Sequence, residues 1–222
     1  MTLVRAFRDR RHAGQLLAEQ LGAYAGRDDV IVLALPRGGV PVAFEVARAL
    51  HAPLDVFTVR KLGVPGHEEW GFGAIATGGV RVLDNDLVLR LGLRASVIEQ
   101  ITDRERRELE RRERVYRGDR PAPVVTGKTA IVVDDGLATG ASMRAAVRAL
   151  HALRPAAIVV AVPTGARETC DELRPEVSAL VCVSMPEPFY AVGSQYQEFR
   201  ATSDEEVCQL LAAVHDQAAV PA

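Results

Sequence analysis

The sequence predicts an α/β fold, with a parallel β-sheet flanked by helices on both faces. Two observations predict it. Short, almost purely apolar runs recur along the 222 residues, and segments of helical periodicity separate them. Strands that read as continuous apolar runs are buried on both faces, and their alternation with helices implies parallel pairing.

The elements follow in order. From Arg8 to Tyr24 apolar residues recur at helical spacing, which predicts an amphipathic helix. Val30 to Leu35 is the first buried run, and it stops at Pro36-Arg37-Gly38-Gly39. Pro41 suits a first helical turn, so Val42 to Leu50 is read as the next helix. A second strand is expected from Leu54 to Val59, ending in Arg60-Lys61. The Gly- and Pro-rich stretch Leu62 to Phe72 reads as a long loop, and Thr77-Gly78-Gly79 as the turn of a hairpin between Gly73–Ala76 and Val80–Leu83. Arg94 to Arg117 is a charged helix in which Glu108/Arg112, Glu110/Arg114 and Glu113/Arg117 place Glu four residues before Arg. After Pro121-Ala122-Pro123 come a strand (Thr129–Val133), a helix (Gly140–Leu153), a strand (Ala156–Val162), a helix from Gly165 and a strand (Ala179–Val183). One domain over 1–222 is expected, with 62–120 as an inserted loop, hairpin and charged helix, and 184–222 as a C-terminal hood and helix.

Composition argues against several classes. A formal charge of −2 gives no general reason for nucleic-acid or anionic-membrane binding. Cys170, Cys182 and Cys208 lack CxxC spacing and an even count, which argues against a disulfide scaffold or zinc site and fits reduced cytoplasmic thiols. The N-terminus lacks a secretory apolar stretch, and no apolar run approaches the ~20 residues of a membrane span.

The chemistry concentrates in Val132-Val133-Asp134-Asp135-Gly136-Leu137-Ala138-Thr139-Gly140-Ala141-Ser142. A buried strand delivers two adjacent carboxylates to the sheet edge where α/β ligands bind. The following turn opens a helix, whose free N–H groups, with the Thr139 and Ser142 hydroxyls, suit a phosphate. The carboxylates suit cis-diol hydroxyls or a hydrated magnesium ion. Diol and phosphate side by side describe a ribose 5-phosphate. The alternative is local: acid pairs after strands also cap helices. The segment is neither a Walker A loop nor a GxGxxG turn.

This motif resembles the 5-phosphoribosyl 1-pyrophosphate (PRPP) motif of the type I phosphoribosyltransferases, and is especially similar to the adenine-type Leu-Ala-Thr-Gly version. The resemblance implies a Rossmann-like parallel sheet with a small hood. It makes Asp134 and Asp135 ribose and magnesium ligands, and Gly136, Leu137, Ala138, Thr139, Gly140, Ala141 and Ser142 the remaining PRPP contacts. Ala138 stands where hypoxanthine-guanine-type members carry a third acid. Arg37, Gly38 and Gly39 resemble the pyrophosphate turn, with Pro36–Arg37 a candidate for the family's non-proline cis peptide. Arg60 and Lys61 resemble its basic pyrophosphate contact. The segment Gly63 to Gly73 resembles the closing loop, with Glu68 or Glu69 matched to its acid, and His67 reads as an exposed loop residue. Phe189, Tyr190 and Val192 resemble the base-recognition strand, and Gln197 stands where some relatives bind magnesium through Asp. The core of the resemblance runs from Val30 to Phe199, and the chain as a whole looks most like a bacterial group of uncharacterised phosphoribosyltransferases. Phe7-Arg8-Asp9-Arg10 and Ser203-Asp204-Glu205-Glu206-Val207 fit that group. The resemblance thus implies a magnesium-dependent, homodimeric enzyme that transfers phosphoribose from PRPP to a nitrogen nucleophile, with a nucleobase of purine salvage as the expected acceptor. A non-catalytic PRPP or nucleotide sensor, touching RNA through Arg104–Arg117, and a related phosphoribosyl hydrolase or pyrophosphorolysis activity are the alternatives.

Overall fold

The computed structural model describes residues 6–218; the side chains of Glu68, Glu69 and 215–218 lie outside that description, as do the first five and last four residues. The N-terminal segment 1–5 and the extreme C-terminus read above therefore fall outside the described residues.

In chain order the elements are α1 (Arg10–Gln20), β1 (Val30–Ala34), α2 (Gly39–Leu50), β2 (Leu54–Val56), β3 (Val59–Val64), β4 (His67–Ala76), β5 (Val80–Leu83), α3 (Asn85–Arg90), α4 (Ala95–Arg117), β6 (Thr129–Val133), α5 (Ala141–Ala152), β7 (Ala157–Thr164), α6 (Arg167–Leu173), β8 (Ala179–Ser184) and α7 (Asp204–Ala218). Five strands form a parallel sheet in the order β2-β1-β6-β7-β8, and β3-β4-β5 form an antiparallel sheet.

Period-two alternation sends each apolar strand residue to one of two cores. Val30, Val32, Ala34, Ile131 and Val133 meet α1, α2 and α7 on one face. Ile31, Leu33, Ala130, Val132 and Val160 meet α5 and α6 on the other. Both faces are covered, which is why the runs carry almost no polar residue. No helix among the described residues is long and apolar enough to cross a membrane.

Local chemistry sets the ends of the helices. Asp9 caps α1 by accepting from the His12 N–H at 2.8 Å. In α4 the Glu108–Arg112 and Glu113–Arg117 pairs form at 2.8 and 3.2 Å, whereas Glu110 and Arg114 form no ion pair among the described residues. Arg117 is buried, and it bonds Asp55 and the Val56 carbonyl as well, tying α4 to β2.

Two expectations about the chain between β2 and β4 require correction. The strand expected over Leu54–Val59 breaks after Val56. Phe57 is fully buried beneath β1, and Val59 begins the second sheet instead, beside a Thr58–Thr77 bridge. The long loop expected over Leu62–Phe72 is a hairpin. Leu62, Val64 and Phe72 are buried, and Pro65-Gly66 form a two-residue turn with Gly66 at φ +78. The glycines suggested a loop, but Gly63 pairs opposite Gly71 at a bulge, where their small size lets the irregular ladder close.

Candidate active site

β6 ends at Val133, and the chain then turns through Asp134 and Asp135 at the carboxyl edge of the sheet. Leu35 at the end of β1 donates to the Val133 carbonyl at 2.9 Å, so the turns after β1 and β6 lie side by side. A Cβ on Gly39 would lie 2.6 Å from that carbonyl and 3.0 Å from the Asp134 Cα, and one on Gly38 would overlap Asp135 Oδ2. Both positions therefore require glycine for close approach rather than for an unusual φ. The Pro36–Arg37 peptide is cis.

Neither aspartate caps α5. Its cap is Gly140 at φ +71, with no side-chain bond. Asp134 Oδ1 accepts from the Asp135 N–H at 2.9 Å, and its other oxygen has no hydrogen bond among the described residues. Burial raises the Asp134 carboxyl well above the usual carboxylate range, and the charge of Asp135 adds to the shift. Burial also raises Asp135, against the opposing pull of Arg10.

The turn that follows is braced from three sides. Leu137 exchanges backbone bonds with Thr164 and Ala166. Thr169 Oγ1 donates to the Ala138 carbonyl at 2.6 Å, and Arg144 Nη2 donates to the Thr139 carbonyl at 2.6 Å while Nη1 bonds Glu172. All of these brace carbonyls or the base of the turn. The N–H groups of Ala138, Thr139 and Gly140 remain unpaired among the described residues, beside the exposed Thr139 and Ser142 side chains. An amide-lined concavity at a helix start is an anion receptor. Substituting Arg144→Ala is expected to loosen this turn and weaken the binding of inorganic phosphate there about tenfold, the loss of one charged hydrogen bond, with calorimetry as the readout.

The remaining sequence candidates divide. Arg37 Nη1 lies 3.7 Å from Asp204 Oδ1 at the start of α7. Arg60 and Lys61 point to opposite faces of β3. Arg60 is paired with Glu105 of α4 at 2.6 Å, and so is turned away from the face that Lys61 presents. Lys61 has no ion-pair partner among the described residues and lines a cavity of about 480 Å3 with Ala74, Leu83, Ala141, Arg144 and Arg148. Glu68 lies in β4, and its side chain is outside the described residues. His67, expected in a loop, opens β4 and stacks on Trp70 at 5.0 Å. Val192 packs on Gly136, where an added Cβ would meet it at 2.5 Å. Phe189 is half-buried, and Tyr190 is 82% exposed. Their segment is not the strand expected from sequence: it carries a turn at Gly193–Gln195 and a single bridge between Phe7 and Tyr196.

Sequence reasoning missed Arg10. It opens α1, 125 residues from Asp135, yet its Nε and Nη2 both reach Asp135 Oδ2 at 2.8 Å. The sequence signal was its place in Phe7-Arg8-Asp9-Arg10, a stretch that fits the resembled group but carried no role there. Among the described residues no group of three or more His, Cys, Asp or Glu could hold a metal. The two adjacent carboxylates fit a hydrated magnesium ion that takes most of its ligands from water and substrate phosphates, and they do not form an all-protein cage.

A family model described as the phosphoribosyl transferase domain matches residues 9–197. Over 212 residues the chain is 44% identical to "Putative phosphoribosyl transferase Rv0571c" of Mycobacterium tuberculosis (strain ATCC 25618 / H37Rv), a match covering 96% of this chain and 48% of the relative. The chain thus spans about half the length of the curated relatives it matches. The crystal structure of TT1426 from Thermus thermophilus is 43% identical, with a TM-score of 0.85, covering 94% of this chain and 98% of that one. A hypothetical protein from Neisseria gonorrhoeae, solved with bound ppGpp, shares the fold alone, at 16% identity and a TM-score of 0.50 over 92% of each chain.

Proposed function

The chain belongs to the phosphoribosyl transferase domain family, and from that premise we propose that it transfers the 5-phosphoribosyl group of PRPP to a nitrogen nucleophile, with release of pyrophosphate. One observation carries the reading. The acid pair, the amides of 138–140 that have no partner among the described residues, and the Gly38-Gly39 turn converge on one sheet edge.

In this reading Asp134 accepts hydrogen bonds from the ribose hydroxyls, and the turn from Leu137 to Ser142 holds the 5′-phosphate. Arg37, Gly38, Gly39 and Lys61 face the departing pyrophosphate. Magnesium, when bound, supplies positive charge to the pyrophosphate as it leaves. As the glycosidic bond lengthens, the ribosyl carbon gains positive charge, and the acid pair stabilises it electrostatically. The acceptor enters on the side of Gly136 and Val192, where Phe189 and Tyr190 offer aromatic surface. The β3–β4 hairpin carries the glutamates matched to the family's loop acid, and its half-exposed Trp70 gives it an apolar surface to exclude water on closure.

The test is pyrophosphate release with PRPP, magnesium and a panel of purine and pyrimidine bases. Base-dependent release supports transfer. PRPP binding without release on any base rejects transfer to the bases tested.

A further inference from the structure

The two aspartates are chemically unequal. Asp135 is enclosed by parts of the chain remote in sequence. Arg10 donates its Nε–H to Asp135 Oδ2 at 2.8 Å, its Nη2 lies at ion-pair distance from the same oxygen, and the two side chains are only 11% and 15% exposed. Gly38 leaves no room beside the same oxygen. Tyr196 donates its hydroxyl to the Asp135 carbonyl at 2.6 Å. Arg10 is itself fixed: its Nη1 donates to the Arg200 carbonyl at 2.7 Å, and its guanidinium lies 3.9 Å from the centre of the Phe199 ring. Asp134, by contrast, has a carboxylate oxygen without a partner among the described residues.

We propose that Arg10 is a positioning residue that pairs with and fixes Asp135, so that Asp135 is compensated within the chain and Asp134 is left to take the ligand. This rests on the sugar-phosphate reading of the site. The charge balance has a direct consequence. PRPP is strongly anionic, and a second uncompensated carboxylate would repel it. The same carboxylate, once freed, would attract a bare cation. Removing Arg10 should therefore move the two affinities in opposite directions, which a merely structural loss would not do.

The experiment titrates Mg2+ alone, and then PRPP with Mg2+, into wild type, Arg10→Ala, Arg10→Gln and Arg10→Lys, followed by calorimetry, with circular dichroism to verify folding. Opposing changes of about threefold to tenfold are expected in Arg10→Ala and Arg10→Gln, with weaker PRPP binding and tighter Mg2+ binding, as follows when one charge a few ångströms away is lost near the protein surface. Arg10→Lys keeps the charge and should restore PRPP affinity to within about threefold of wild type. If Arg10→Ala does not fold, the Gln and Lys variants carry the same comparison. Unchanged affinities, or parallel loss of both, would overturn the role of Arg10. Failure of wild type to bind PRPP would instead overturn the functional reading, and this inference with it.

Discussion

Replacing Asp134 by asparagine is expected to weaken PRPP binding at least about a hundredfold, since two charge-assisted hydrogen bonds at ~1.5 kcal/mol or more each are lost. The fold should survive. The amide oxygen of asparagine can still accept from the Asp135 N–H, the bond that Asp134 Oδ1 makes in the native turn. Stability should in fact rise. Burial and the neighbouring Asp135 hold the Asp134 carboxyl well above its ordinary range in the folded state. A carboxyl raised on folding favours the native state most below the unfolded value near 3.9, and that contribution disappears as pH climbs through the folded value. Above the unfolded value the raised carboxyl therefore costs the native fold stability, and the amide, which does not titrate, removes this penalty. The variant's melting temperature should match wild type near pH 4 and exceed it at pH 7, by about 2–4 °C for each kcal/mol relieved. Thermal melts at the two pH values, paired with calorimetry, check both halves. A variant that melts lower than wild type at pH 7 would mean that Asp134 is a stabilising residue, contrary to its placement. Such an exchange of stability for ligand affinity is common where binding needs a strained or charged site.

Replacing Gly39 by alanine is expected to fail in the opposite sense, losing stability and binding together. The added methyl would sit 2.6 Å from the Val133 carbonyl and 3.0 Å from the Asp134 Cα. Both are backbone atoms at the end of β6 or just beyond it, and Leu35 already donates to that carbonyl at 2.9 Å. No flexible side chain can yield, so either β1 and β6 separate at their ends or the turn after β1 moves away. Overpacking of this kind costs about 1–3 kcal/mol. The displaced turn would also carry Arg37 and Gly38 away from Asp135. Urea denaturation should show a lower midpoint, and PRPP affinity should fall by about tenfold or more, because positioning errors near 1 Å are expensive in a polar site. An alanine variant of wild-type stability would show that the two turns are not in close contact.

Which parts were readable in advance follows from the range of the forces involved. The strands β1, β6 and β7 were legible because burial on both faces leaves a continuous apolar run, a local signal needing no partner. The acid pair and the turn to Gly140 were legible for the same reason: their chemistry is contiguous in the chain, from Asp134 to Ser142. The hairpin of β3 and β4 was misread because its residues pair across a bulge. Glycine content reports conformational freedom, but says nothing about which strand lies opposite. Arg60 and Lys61 look equivalent as a basic pair. Only the strand's alternation, and the presence of Glu105 on α4, assigns one to an ion pair and the other to a cavity.

The sequence by itself determined the layered α/β architecture and placed the acid pair and the turn after it at the carboxyl edge of the sheet. All of these rest on periodicity and on neighbouring residues. Only the tertiary structure decided that the two aspartates differ, because the guanidinium that pairs with Asp135 comes from a helix 125 residues away. Electrostatic pairing depends on distance in space, and a chain written in one dimension does not carry that distance.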